Sequence, residues 1–153
     1  MVANSIHQTK QQSLTIIIVL LVLLWSYTAG SKLMDIQEFK RQLYNQTFGI
    51  NLANLLLWLI PITEITAVLL LIIQKTRLLG LLLSLILMTL FTGYIALVLL
   101  DYYERTPCSC GGVLQALGWE EHFYFNLFFL SLSIIGIYLQ KNSTKTTITN
   151  TNN

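Results

Sequence analysis

The chain has 153 residues, of which 54% are hydrophobic and 10% charged, with nine Lys+Arg against seven Asp+Glu for a net charge of +2. An ordinary soluble domain carries roughly a quarter charged residues. A water-soluble globular fold is therefore excluded, and charges this few and scattered exclude a nucleic-acid-binding surface as well. What remains is a lipid-embedded protein, short enough to hold about four spans of about 20 apolar residues each.

Residues 1–12 are polar, and the first expected span covers 13–32, built on the unbroken apolar run Leu14–Trp25. The same run has the form of a signal-peptide core, with Lys10 before it and Ala29 and Gly30 after it. Its weakly basic start and the lack of a clear small-x-small site favour a retained anchor. Between Ser31 and Asn51, Leu33, Ile36, Phe39 and Leu43 recur at helical spacing, which predicts a short amphipathic helix lying on the membrane surface. The second span, 52–73, is broken only by Asn54, Pro61, Thr63, Glu64 and Thr66. A tight basic turn, Gln74-Lys75-Thr76-Arg77, leads to a third span, 78–100, without a single charge. A polar loop beginning at Asp101 precedes the fourth span, 120–139. The Thr/Asn-rich tail, 141–153, has no periodicity and is expected to be disordered. The expected fold is all-α: a four-transmembrane-helix bundle over residues 13–140 with one interfacial helix between spans one and two.

With both termini cytoplasmic, the inner segments carry Lys10, Lys75, Arg77, Lys141 and Lys145, and the outer ones Lys32, Lys40, Arg41 and Arg105. Five against four favours this orientation, with the Lys75/Arg77 turn as the strongest local signal.

Chemistry concentrates in Thr106-Pro107-Cys108-Ser109-Cys110-Gly111-Gly112. Cys108 and Cys110 are the chain's two cysteines, one residue apart in a polar loop that faces an oxidising compartment in this orientation. Disulfide Cα atoms usually sit about 4.4–6.8 Å apart, so an i, i+2 pair closes only as a tight ring, for which Gly111 and Gly112 supply backbone freedom. A strained ring is labile and oxidising and gains little from entropic cross-linking, which suits an exchanger better than a staple. The same residues are compatible with an inert clip or with reduced thiols. They are also compatible with a soft-metal site completed by Met34, Met88 or His122, although no metal is expected.

Glu64 is the one charged side chain in the interior of a span, away from its ends, and an intramembrane acid is a functional-site hypothesis by default. It reads either as a bundle-fixing hydrogen-bonding group or as a proton-handling acid near a redox centre or quinone headgroup. Thr63 and Thr66 are expected to satisfy backbone groups freed by Pro61. His122 closes the cysteine loop, where a histidine can depress a thiol pKa or relay a proton. Trp119, Tyr102, Tyr103, Phe123 and Tyr124 read as interfacial anchors.

Several of these features together resemble the MauE/DoxX-like membrane family, over about residues 14–139. They are the four spans, Tyr27-Thr28-Ala29-Gly30-Ser31-Lys32-Leu33, the Phe39-containing helix, Pro61-Ile62-Thr63-Glu64, and Cys108-Ser109-Cys110-Gly111-Gly112 followed by Trp119, His122 and Asn126. The resemblance implies a small redox-associated inner-membrane protein. MauE itself is linked to maturation of the disulfide-rich small subunit of periplasmic methylamine dehydrogenase with a thioredoxin-like partner, and DoxX-like relatives include a subunit of a quinone-reducing enzyme. Carried over, it points to Cys108, Cys110 and Glu64. Quinone-coupled thiol oxidases usually carry two cysteine pairs, whereas this chain has one, so an electron path runs directly from that pair or through a partner protein.

Two functions follow as expectations. One is thiol–disulfide exchange, with Cys108 or Cys110 as nucleophile, toward a thioredoxin-like or client protein on the outer face. The other is a non-enzymatic subunit anchoring a larger envelope complex through a small-residue face at Gly80, Ser84 and Gly93.

Overall fold

The structure, a computed structural model, describes the backbone of residues 2–46, 49–100, 102 and 118–151, and the side chains of residues 8–46, 49–100, 102 and 118–142. Every regular element among them is helical: α1 (Val2–Met34), α2 (Ile36–Tyr44), α3 (Ile50–Ile72), α4 (Arg77–Leu99) and α5 (Trp119–Thr151), with a 3₁₀ turn at Gln74–Thr76 joining α3 to α4. Four segments are long and apolar enough to cross a membrane: Gln8–Met34, Ile50–Ile72, Gln74–Leu99 and Trp119–Asn142. The protein is an all-α polytopic membrane protein.

Going round the bundle, α1 packs on α3, α3 on α4, α4 on α5, and α5 back on α1. The core is Leu21, Trp25, Leu71 and Leu81, all fully buried, with Leu14, Ile17 and Met88 around them. The run that also had the form of a signal peptide thus supplies much of this core. Ile16, Leu23, Leu55, Leu90 and Ile134 face outward, as lipid-facing side chains must. Association of such helices rests on close packing and interhelical hydrogen bonds, because lipid tails are as apolar as the core. Both devices are present. Trp25 crosses the bundle from α1 and donates through Nε1 to Ser84 Oγ on α4 at 2.9 Å. At Gly80, a Cβ would lie 2.7 Å from the Leu71 backbone nitrogen, so α4 approaches α3 at a distance that only glycine permits.

The short helix between the first two spans exists, but its apolar face differs from the expected one. Helix α1 continues through Met34, which is 91% exposed, and Leu33 is exposed with it. The break falls at Asp35, whose carboxylate accepts from the Glu38 backbone N–H at 3.0 Å and caps α2. The new helix starts in a new phase, and the periodicity across the break is lost. Phe39 and Leu43 then bury against Ala53 and Leu57, so α2 docks on α3 rather than only resting on lipid.

Pro61 is buried inside α3. The acceptor its missing N–H leaves is the Leu57 carbonyl, but Thr63 Oγ1 donates to the carbonyls of Leu59 and Ile60, and Thr66 Oγ1 to that of Ile62. Both threonines bond back along their own helix, so neither does the work expected of it.

Candidate functional site

Polar side chains gather at one end of the bundle, where α1 runs into α2. Thr28 and Lys32 lie one turn apart on α1, and Lys32 Nζ donates to the Thr28 carbonyl at 3.1 Å. That bond bends the lysine back into the bundle instead of out along its helix. There it meets Glu64 Oε1 on α3 at 2.8 Å and lies 5.8 Å from the centre of the Phe39 ring on α2. The Glu64 side chain is 1% exposed and that of Lys32 16%. An unpaired charge at that burial costs several kcal/mol, so the ion pair is a condition for placing a carboxylate there.

The pair borders a cavity of about 610 Å³. Its apolar wall includes Trp25, Met88 and Phe91, with the Trp25 and Phe91 rings 6.3 Å apart. Helix α5 contributes Trp119, His122 and Asn126, spaced three and four residues apart and therefore on one face. Helix α2 closes the remaining side through Phe39 and Gln42. It is held there by Gln46, just beyond its end, which accepts from the Tyr94 hydroxyl of α4 and donates to the Gln42 carbonyl at 3.1 Å. Also on α2, Glu38 pairs with Arg41 at 2.6 Å, and this hydrogen-bonded guanidinium holds the Glu38 carboxyl below its ordinary value.

Of the residues the sequence singled out, Glu64 and His122 share this cavity, Glu64 fully buried and His122 half-buried. Cys108, Cys110 and Tyr103 lie outside the described residues. Tyr102 and Tyr124 are exposed, as interfacial anchors should be, and the half-buried Trp119 borders the cavity. The methionines considered as soft ligands do not converge: Met34 is exposed and Met88 is buried in the core. Among the described residues no three His, Cys, Asp or Glu side chains are placed to hold a metal. The small-residue face also divides, because Gly80 and Ser84 point into the bundle while Gly93 has open space around it.

Lys32 was missed as a site residue. In the sequence it counts as a loop cation, and the signal for it was indirect: a lone intramembrane glutamate needs a cation within reach, and Lys32 ends the first span. Gln42 and Gln46 carried no signal of their own.

No curated protein and no solved structure matches the chain. The model of the family described as Methylamine utilisation protein MauE matches residues 10–139, which takes in nearly the whole of the four spans, the Lys32–Glu64 pair and His122. On that match the chain belongs to the MauE family of membrane proteins.

Proposed function

We propose that this protein is a thiol–disulfide exchanger of the bacterial inner membrane, with both termini cytoplasmic, that supports maturation of an envelope protein. The observation that carries this reading is the sequence Cys108-Ser109-Cys110, two cysteines one residue apart between α4 and α5. Helix α5 opens after that segment with Trp119 and His122, both on the cavity of the ion pair. In exchange, the thiolate of Cys108 or Cys110 attacks a disulfide of a thioredoxin-like partner. A mixed disulfide forms and one partner thiolate leaves. The second cysteine resolves the mixed disulfide, leaving this pair oxidised and the partner reduced by two electrons. The oxidised pair then oxidises a client dithiol by the reverse sequence.

A quinone is the other acceptor class that fits the residues present. The fully buried Glu64 has an oxygen, Oε2, without a hydrogen-bond partner among the described residues, and the wall beside it is aromatic. When bound, a quinone supplies a two-electron, two-proton acceptor. Lys32 would donate to a ring oxygen, Glu64 would accept from the hydroxyl of the reduced form, and Phe91 would pack on the ring.

The test is the redox state of Cys108 and Cys110 in acid-quenched membranes, read as mass added by a thiol reagent before and after reduction. Two labels only after reduction, together with lost client oxidation in a Cys108→Ala, Cys110→Ala variant, are expected. Two labels without reduction, or full client oxidation in the variant, refute the reading.

A further inference from the structure

The charged groups around the cavity are largely paired with one another. Two cations line it, Lys32 and Arg41, against three carboxylates, Asp35, Glu38 and Glu64. Lys32 is committed to Glu64 and Arg41 to Glu38. No cation is left over for a phosphate or carboxylate headgroup. Of the three buried polar atoms that lack a hydrogen-bond partner among the described residues, the one on the cavity's lining is an acceptor, Glu64 Oε2, on a fully buried side chain. A buried acceptor without its hydrogen bond costs about 1–3 kcal/mol, and more when charged. A neutral hydroxyl meets that need without disturbing the ion pair. The volume, about 610 Å³, is that of a small-molecule site. The aromatic side chains Phe91 and Phe125 on its wall suit a ring.

We propose that this cavity selects the reduced, hydroxyl-bearing form of a lipid-soluble aromatic, a hydroquinone, whose hydroxyl donates to Glu64 Oε2, over the corresponding quinone, which offers only carbonyl acceptors. The inference deepens the acceptor part of the proposed function and rests on that reading for the choice of redox couple, not on the cysteines. Tighter binding of the reduced form makes the bound couple the stronger oxidant. A tenfold preference raises a two-electron potential by about 30 mV.

The experiment uses the full chain in mild detergent with three probes: a decyl-benzohydroquinone, its quinone, and its dimethyl ether, which keeps the ring and loses both donors. The readout is the concentration-dependent rise in melting temperature, which follows ligand affinity. The hydroquinone is expected to bind saturably and at least tenfold more tightly than either other probe. A folded Glu64→Gln variant should reduce that preference below threefold. A Cys108→Ser, Cys110→Ser variant should keep it. Equal affinity for the three probes, or no saturable binding, overturns the inference, and the wild-type comparison suffices where Glu64→Gln fails to fold. Loss of binding in the double cysteine variant overturns it too. Saturable hydroquinone binding in a protein whose membrane-bound cysteines stay reduced would retain this site and remove the exchange reading.

Discussion

Replacing Lys32 by Met should be the most damaging single change at the candidate site, more so than Glu64→Gln. The asymmetry follows from burial. Glu64 is 1% exposed and Lys32 is its hydrogen-bond partner, so removing the lysine strands a carboxylate in a low-dielectric interior. Breaking a buried pair this way costs about 3–5 kcal/mol. Glu64→Gln leaves an amide oxygen that still accepts from Lys32, and the lysine keeps the Thr28 carbonyl at 3.1 Å and some exposure. That loss is that of a charge-assisted bond reduced to an ordinary one, about 1–3 kcal/mol. In the Lys32→Met, Glu64→Gln double variant no charge remains, so its loss should fall short of the two single losses combined by about 2 kcal/mol. The assay is reversible unfolding in mixed mild-detergent and dodecyl sulfate micelles, followed by tryptophan fluorescence. Equal single losses that add in the double variant would refute the reasoning, since two independent side chains behave in that way.

Other substitutions test other parts of the frame. Gly80→Ala should cost about 1–3 kcal/mol in the same unfolding assay, because its Cβ would meet backbone atoms of Leu70 and Leu71 within 3 Å. Gly93→Ala, with nothing within 4 Å, should change stability by less than about 0.5 kcal/mol. Trp25→Phe removes the bond to Ser84 and should cost about 0.6 to 1.7 kcal/mol beyond any packing loss, read as the coupling in a cycle with Ser84→Ala. The Glu38 carboxyl is held below its ordinary 4.5 by Arg41, so its share of stability is present above that pH and fades as pH falls through the lowered value. Stability of Glu38→Gln should therefore run parallel to wild type at neutral pH and converge with it in acid.

The sequence revealed what composition and local periodicity control. Four apolar runs of membrane length become four packed helices, because a span needs nothing beyond length and hydropathy to be recognised. Glu64 stood out for the same reason, as the one charge where charge is expensive. What stayed hidden depended on geometry across the break between helices. Leu33 kept step with Ile36 and Phe39 on paper, but Asp35 caps a new helix and resets the phase, so Leu33 faces outward and Gln42 is buried in its stead. Gly80 and Ser84 showed that a helix was meant to be approached closely. They did not show whether the approaching partner was another chain or α3 and Trp25 of the same one. Lys32 was hidden most completely. Its hydrogen bond to Thr28 turns it inward, and no pattern in the sequence distinguishes that rotamer from a lysine pointing to water.

The two halves of the bundle answer to different requirements. Around Ile17, Leu21, Leu71 and Leu81 the interior is apolar, and the nearby buried Ser133 bonds its own helix through the Phe129 carbonyl. At the other end, Gln42, Gln46, Glu64 and Asn126 are all buried, and three of the four line the cavity. Buried polar groups weaken helix association unless each is matched, so a bundle selected for stability alone would have filled that end with leucine. Helix α2 makes the arrangement tolerable: it brings Phe39 over Lys32, Gln42 to the cavity wall and Gln46 to Tyr94. Its own apolar face is small, essentially Phe39 and Leu43 against Ala53 and Leu57. Substitutions on that face, such as Leu43→Ala, should therefore loosen the polar end while leaving the Leu21–Leu81 core intact. The expected sign is faster amide exchange over Ile36–Tyr44 than in wild type, with unchanged protection in the buried turns of α1 and α4. Equal loss of protection at both ends would mean that the bundle is a single cooperative unit and that α2 is part of its core.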